Sequence, residues 1–359
     1  MCGLIGICKR EKLNTNEIEN IRFVSSQLNH RGPNQSGEWF SEKENILFSH
    51  RRLSINDLSE DGKQPMESNC GRYTLVFNGE AYNFLKIKEQ LEYLGYKFKS
   101  NSDTEVVLRL IENFGFEQAL TKINGMFALA LYDKKFDKIF LGRDQNGQKP
   151  IYYHQNDNFF FFTSELRNID KIIKNLKISK KALQYFFQLS YVPEPLSIYE
   201  NIFKLKKGHF LIFDIKNFSF KIESYNLQEQ KLNLDNLNFN QKIKKFENIL
   251  LEATNDHLIS DVKNGTLLSG GIDSTIITYA ASRVSLNKID TFCVKSNDKN
   301  YDESDHAIKT ASQIGTNHHT LEFSQDDLFQ SIINIHKVYD EPFGDSSQIP
   351  TYLLFKSIN

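Results

Sequence analysis

Cysteine is scarce in this chain. Its 359 residues hold four, Cys2, Cys8, Cys70 and Cys293, and none sits in a CxxC pair. A dense disulfide framework is excluded, and reduced thiols in a cytoplasmic setting are expected. An excess of charge of either sign is missing too. The 44 Lys and Arg against 45 Asp and Glu leave a formal net charge of −1, so no net positive field exists to hold nucleic acid or an anionic membrane. No apolar run approaches the roughly 18 residues of a membrane span. The start, MCGLIGICKREKLN, has one short apolar stretch with no basic segment before it, and no signal peptide is expected. No internal repeat is visible. What is present is an ordinary globular composition, 40% hydrophobic and 25% charged. At roughly 150 residues per domain, the length predicts two domains with room for a third.

The first half is dominated by short β patterns: CGLIGIC (2–8), ENILFSH (44–50), YTLVFNG (73–79), GMFALALYD (125–133), DKIFLGRD (137–144) and NFFFFTSE (158–165). They are rich in β-branched, aromatic or aliphatic residues, and most are bounded by Gly, Asn or Asp. Two helices are predicted among them. Residues 15–28 put Ile18, Ile21, Val24 and Leu28 on one face, with Asn14 as cap and Glu17 three residues on. Residues 103–114 open with Asp103 and carry Val106, Val107, Leu110 and Ile111. This predicts an α+β, layered-sheet domain over 1–190. Residues 191–240 read as a connecting segment, ending in the polar, Asn-rich stretch 226–242. From 241 onward, predicted helices at 241–258, 273–285, 303–315 and 325–338 alternate with apolar strands at 290–294 and 318–323. That alternation means βαβ units and a parallel sheet over 241–359.

Cys2 directly follows the initiator Met. Once Met is removed, such a cysteine combines a thiol nucleophile with its own α-amine as base, whose ordinary pKa near ~7.7–8.0 suits neutral pH. By itself Cys2 reads first as merely the second residue, filling a strand. Its company decides the matter: HRGPNQSG (30–37), RRLSIND (51–57), FNGEAYN (77–83), SDTEV (102–106), GRDQNGQKPIYY (142–153) and TSEL (163–166). In this order and spacing, residues 2–190 resemble the N-terminal-nucleophile glutaminase domain of class II glutamine amidotransferases. The resemblance implies roles. Cys2 is the nucleophile, with Asn78 and Gly79 as the oxyanion hole. Arg52 holds the α-carboxylate of glutamine, Asp103 its α-ammonium, and Glu80 completes the pocket. Taken singly, Asn78-Gly79 reads as a turn, Asp103 as a helix cap and Arg52 as a surface ion pair. Asn34 stands where that family commonly has Asp.

The second motif is LLSGGIDST (267–275), a strand running through glycines into a helix. Glycines let backbone N–H groups approach a phosphate, and the helix N-terminus attracts its charge. The sequence lacks the GK[ST] of a Walker A loop and resembles the PP-loop of ATP pyrophosphatases. The resemblance implies an adenine nucleotide alpha hydrolase-like fold. ATP contacts are implied at Leu268, Ser269, Gly270, Gly271, Asp273, Ser274 and Val294. Mg2+ is implied with the ATP, Asp273 being the candidate ligand. His318 and His319 are adjacent on a strand and face opposite ways, so a shared metal is not expected.

YDESDHAIKTASQIGTNHH (301–319) and YDEPFGDSSQIPTYLL (339–354) match blocks that follow the PP-loop in glutamine-hydrolysing asparagine synthetases. The resemblance implies conversion of aspartate to asparagine through β-aspartyl-AMP, with ammonia from glutamine. Its substrates are glutamine, aspartate and ATP, and a homodimer is left open. The acidic Gly-rich loop and the helical region that follow in that family lie outside these 359 residues, so the α/β domain is expected to be partial. Other carboxylate acceptors, glutamine hydrolysis alone and a non-catalytic remnant stay open as alternatives.

Overall fold

A computed structural model describes residues 1–43, 45–225, 234–296 and 302–358. It divides into two units, Met1–Gln228 with Asp340–Gly344, and Glu229–Tyr339 with Asp345–Asn359.

The first unit begins with β1 (Gly3–Lys9), α1 (Thr15–Gln27), β2 (Gln35–Phe40), β3 (Ile46–Arg52), β4 (Met66–Glu67) and β5 (Tyr73–Ala81). Three helices follow, α2 (Phe84–Tyr93), α3 (Asp103–Phe114) and α4 (Phe116–Lys122). Then come β6 (Gly125–Asp133), β7 (Lys138–Arg143), β8 (Tyr152–Gln155), β9 (Phe159–Thr163), α5 (Lys180–Leu189), β10 (Ile202–Lys204), β11 (His209–Asp214) and β12 (Ser219–Ser224). The strands form two six-stranded antiparallel sheets, ordered β10-β8-β9-β1-β3-β2 and β12-β11-β7-β6-β5-β4.

Both faces of β1 are apolar, so both are covered. Leu4, Phe48, Phe160 and Phe162 of the first sheet meet Val76, Ala130, Leu141 and Phe213 of the second in a fully buried layer. Ile5, Ile7, Leu47 and Phe161 face the other way, onto Ile21 and Val24 of α1 and Ala182 of α5. Burying a side chain of this size contributes roughly 1.5–3 kcal/mol. Helix α1 starts in a capping box, Asn14 accepting from Glu17 N–H and Glu17 reaching back to the Asn14 N–H. Ser102 caps α3, and Gly115 at φ +81 ends it.

The structure corrects the boundary read at 190. Residues 202–224 belong to the sheets and are no connector: β10 pairs with β8, and β11 pairs with β7 and β12. Helix α2 was absent from the sequence reading, although Phe84, Ile87 and Leu91 are its buried face. Residues 226–233 of the predicted linker lie outside the described residues.

The second unit holds α6 (Phe239–His257), β13 (Gly265–Leu267), α7 (Ile272–Val284), β14 (Asp290–Lys295), α8 (Ser304–Ile314), β15 (Asn317–Glu322), α9 (Gln325–Asn334) and α10 (Gln348–Ile358). The strands form a parallel sheet in the order β13-β14-β15, as the βαβ pattern requires. Its buried cluster is small: Leu268, Cys293, Ala307 and Ala311. Among the described residues, no helix is long and apolar enough to cross a membrane.

Candidate active site

One cavity of about 110 Å³ in the first unit is lined by all six residues that the sequence placed in a glutamine site: Cys2, Arg52, Asn78, Gly79, Glu80 and Asp103. They come from both sheets and from the start of α3. Strand β1 carries the chain start to the cavity, and β3 ends there at Arg52. Strand β5 brings Asn78, Gly79 and Glu80 past it, and Ser102 starts α3 so that Asp103 faces inward.

Leu53 donates its N–H to the Cys2 sulfur at 3.4 Å. Burial pushes the thiol pKa up, against the pull of that hydrogen bond, the terminal amine and Arg52. The Cys2 carbonyl is held from behind by Arg31 Nε at 2.9 Å. The Met1 amine is sunk beside Cys2, and burial lowers its pKa to about 6.

Asn78 is fully buried, and neither its amide nitrogen nor its amide oxygen has a partner. An unpaired buried amide costs about 1–3 kcal/mol, so this group is poised for something that enters the cavity. The backbone around it is fixed. Gln64 accepts the Phe77 N–H at 2.6 Å and donates to the Phe77 carbonyl at 3.2 Å. His50 Nε2 also reaches that carbonyl, at 3.1 Å. Burial lowers the His50 pKa to about 3, so the ring stays neutral. Gly79 tolerates no side chain, because a Cβ there would lie 2.3 Å from the Met126 carbonyl oxygen and 2.6 Å from Phe127 Cβ.

Asp103 is buried, and burial raises its pKa to about 6. It is no helix cap: its Oδ2 accepts the Ala81 N–H at 3.0 Å, while Ser102 does the capping. The Arg52 guanidinium is already heavily engaged. Nη1 donates to Gln35 Oε1 at 2.7 Å and to the Ser59 carbonyl at 3.1 Å, and Nη2 donates to the carbonyls of Asn56 at 3.0 Å and Asp57 at 2.6 Å. All four Nη hydrogens are used within the protein, leaving Nε and the net charge for a carboxylate. Asn34 takes over what an Asp could do there, its amide oxygen accepting the Ser54 N–H at 2.9 Å.

The sequence reading assigned no role to Lys149, which sits in the quoted stretch GRDQNGQKPIYY. It lines the same cavity and is buried, yet its ammonium makes no hydrogen bond or ion pair among the described residues. Burial lowers its pKa, while Glu80 pulls the other way.

In the second unit, Leu268 is buried at the end of β13, its N–H on the Phe292 carbonyl at 2.9 Å. Ser269, Gly270 and Gly271 lead into α7, with Asp273 and Ser274 in its first turn. The loop is laced by its serines: Ser269 Oγ lies 3.2 Å from Ser274 Oγ and accepts the Gly271 N–H at 3.3 Å. Gly270 has φ +84, and a Cβ there would lie 2.7 Å from His306 Cβ. Val294 is half-buried toward the C-terminal end of β14, the end from which the 268–274 loop also emerges. Open parallel sheets bind ligands at that end. Asp273 is exposed, and among the described residues no group of three or more His, Cys, Asp or Glu could hold a metal. His318 and His319 are separated as expected, His318 on Thr291 at 2.9 Å and His319 on Asp290 at 3.1 Å. Of the remaining cysteines, Cys8 and Cys293 are buried, whereas Cys70 is exposed, its thiol 3.3 Å from Glu112 Oε1.

Residues 1–226 match the family described as "Glutamine amidotransferase domain", and residues 245–359 the family described as "Asparagine synthase". A Methanocaldococcus jannaschii relative, provisionally named asparagine synthetase (glutamine-hydrolysing) 2, is 36% identical over 98% of this chain and 70% of its own length. Asparagine synthetase (glutamine-hydrolysing) 1 of Bacillus subtilis is 31% identical over 99% of this chain and 55% of its own. The chain thus spans between about half and about two thirds of these relatives. A solved glutamine phosphoribosylpyrophosphate amidotransferase from B. subtilis gives a TM-score of 0.47 at 16% identity, covering 92% of this chain and 70% of that one. A layered-sheet glutamine amidotransferase unit is followed along the chain by a parallel-sheet synthase unit, and the chain belongs to the glutamine-hydrolysing asparagine synthetase family.

Proposed function

We propose that the first unit hydrolyses glutamine and that the second uses ATP to activate aspartate for amidation by the ammonia released. After Met1 is removed, the Cys2 α-amine takes the thiol proton, and the thiolate attacks the side-chain amide carbon. Asn78 and the Gly79 N–H stabilise the oxyanion. The amine returns its proton to the leaving nitrogen, ammonia departs, and water cleaves the thioester to glutamate. Arg52 and Asp103 oppose the two charges of the substrate zwitterion, with Glu80 beside them. The observation that carries this reading is the fully buried, partnerless Asn78 amide lining the same cavity as the Cys2 thiol.

In the second unit, the 268–274 loop offers backbone N–H groups and a helix N-terminus to pyrophosphate. Gly271 has open space on its Cα, with only Ser269 Oγ at 3.4 Å from a notional Cβ, so the backbone there is accessible to phosphate. Asp273 is the residue available to Mg2+, whose remaining ligands would be phosphate oxygens and water. The aspartate β-carboxylate attacks the α-phosphorus and pyrophosphate leaves. Ammonia then displaces AMP from β-aspartyl-AMP, giving asparagine. The test is to supply aspartate, ATP and Mg2+ with either glutamine or ammonia, and to assay glutamate, AMP and asparagine. Glutamate with glutamine, and equal AMP and asparagine with ammonia, are expected. Glutamate without AMP would confine the function to the first unit, and AMP with a different carboxylate would change the acceptor.

A further inference from the structure

Five residues far along the chain, Asp340–Gly344, are built into the first unit, although they fall within the 245–359 stretch matched by the asparagine synthase family. Their attachment is polar and specific. Asp340 Oδ2 accepts the Leu166 N–H in a short hydrogen bond. Glu341 Oε1 accepts the Ile198 N–H at 2.8 Å, and its Oε2 accepts from the Tyr152 hydroxyl at 3.0 Å and pairs with Lys204 Nζ at 2.5 Å. Gly344 donates its N–H to the Ser190 carbonyl at 2.7 Å. Buried charges are kept only where such partners satisfy them, and removing one partner is costly.

One of the residues grasped, Leu166, leads to the thiol. Leu166 follows Glu165, and Glu165 Oε1 accepts from Arg31 Nη1 and from His30 Nε2, both at 2.9 Å. Burial would raise the Glu165 pKa, but the His30 hydrogen bond and the Arg31 charge hold it below the usual carboxylate range. Arg31 in turn holds the Cys2 carbonyl at 2.9 Å. On the other side, Tyr152 lies three residues beyond Lys149, which lines the cavity. One chain of contacts therefore runs Asp340, Leu166, Glu165, Arg31, Cys2.

We infer that Asp340, in a segment anchored by Glu341, is a positioning residue of the glutamine-hydrolysing site, holding the backbone beside the Glu165–Arg31 pair that aims Cys2. The inference rests on the glutaminase reading above. It touches no substrate-binding group, so its signature is in turnover and not in glutamine affinity. In the full chain, Asp340→Ala lowers kcat for glutamate release on the order of ten- to a hundred-fold, as expected for a small misplacement of a nucleophile. KM for glutamine stays within about two-fold of wild type, because Arg52, Asp103 and Asn78 are untouched. Asp340→Asn restores most of the turnover, since its amide oxygen still accepts the Leu166 N–H. A wild-type kcat in Asp340→Ala overturns the inference, as does a loss that Asp340→Asn fails to rescue or that appears in KM and kcat alike. If Asp340→Ala does not fold, Tyr152→Phe, which removes one hydroxyl from the Glu341 anchor, is measured on the same readouts. A several-fold kcat loss at constant KM is then expected, and an unchanged kcat overturns the inference. Cys2→Ala in the same assay separates the two levels. Wild-type activity there sinks the glutaminase reading itself, whereas a silent Cys2→Ala beside a fully active Asp340→Ala sinks only this inference.

Discussion

The Leu53 N–H points at the Cys2 sulfur across 3.4 Å, and Leu53 is the residue directly after Arg52. The end of one strand thus sets both the thiol and the cation of the pocket. The segment is pinned on either side, by Asn34 on the Ser54 N–H and by the Asn56, Asp57 and Ser59 carbonyls on Arg52. Nucleophile and substrate charge are placed by the same few residues of backbone, so geometry at one is transmitted to the other.

Asn78→Ala should leave the fold intact, because the lost amide has no partner to orphan. It should lower kcat for glutamate release on the order of a hundred- to a thousand-fold, the usual effect of removing one oxyanion donor. Steady-state kinetics of the variant checks this, with thermal melting to confirm that stability is unchanged.

Asp103 gives the pH dependence a sign. Burial raises its pKa to about 6 in the free protein, and only the carboxylate can pair with the α-ammonium of glutamine. As pH falls through about 6 the group protonates, and kcat/KM for glutamine should fall with it. Asp103→Asn should lose this acidic limb along with much of its activity. A limb that survives at the same pH in Asp103→Asn would assign it to another group.

Arg52→Ala should raise KM for glutamine on the order of 30-fold or more, since removing one member of a buried charge pair costs about 2–5 kcal/mol. It should also loosen the 56–59 segment, whose carbonyls lose the Arg52 donors. Gln35→Ala, which frees one Nη hydrogen, should change KM far less. Isothermal titration of glutamine into a Cys2→Ala background checks both without turnover.

Much of the site was legible because it rests on residues whose chemistry is local: a cysteine behind the initiator Met, an Asn-Gly pair within a β pattern, an Asp at a helix start. The helices at 15–28 and 103–114 were legible for a similar reason, their apolar spacing and caps lying within one turn. Residues that act through distant partners were not legible. Ile202–Lys204 is a three-residue strand defined by its pairing with β8, some 50 positions away. Nothing in the local pattern of Asp340 and Glu341 announces that their acceptor oxygens will meet Leu166 and Ile198. Arg52 lines the cavity, but the use of its fork by backbone carbonyls depends on how the 56–59 segment turns. Lys149 was in view in its motif and acquired meaning only when it lined the cavity with an ammonium that makes no hydrogen bond or ion pair among the described residues.

Lys149→Met should lower kcat/KM for glutamine by about ten-fold, because a buried cation beside the reacting thiolate and Glu80 is lost. Lys149→Arg should restore most of it. A wild-type pH profile and rate in Lys149→Met would make the lysine a bystander.

The account stands on Cys2 as the nucleophile. The direct measurement is glutamate release from glutamine by the purified chain with Met1 shown by mass spectrometry to be removed, beside the Cys2→Ala variant prepared in the same way. Steady release by the first and none above background by the second is the expected result. Equal release by both would contradict the account at its centre.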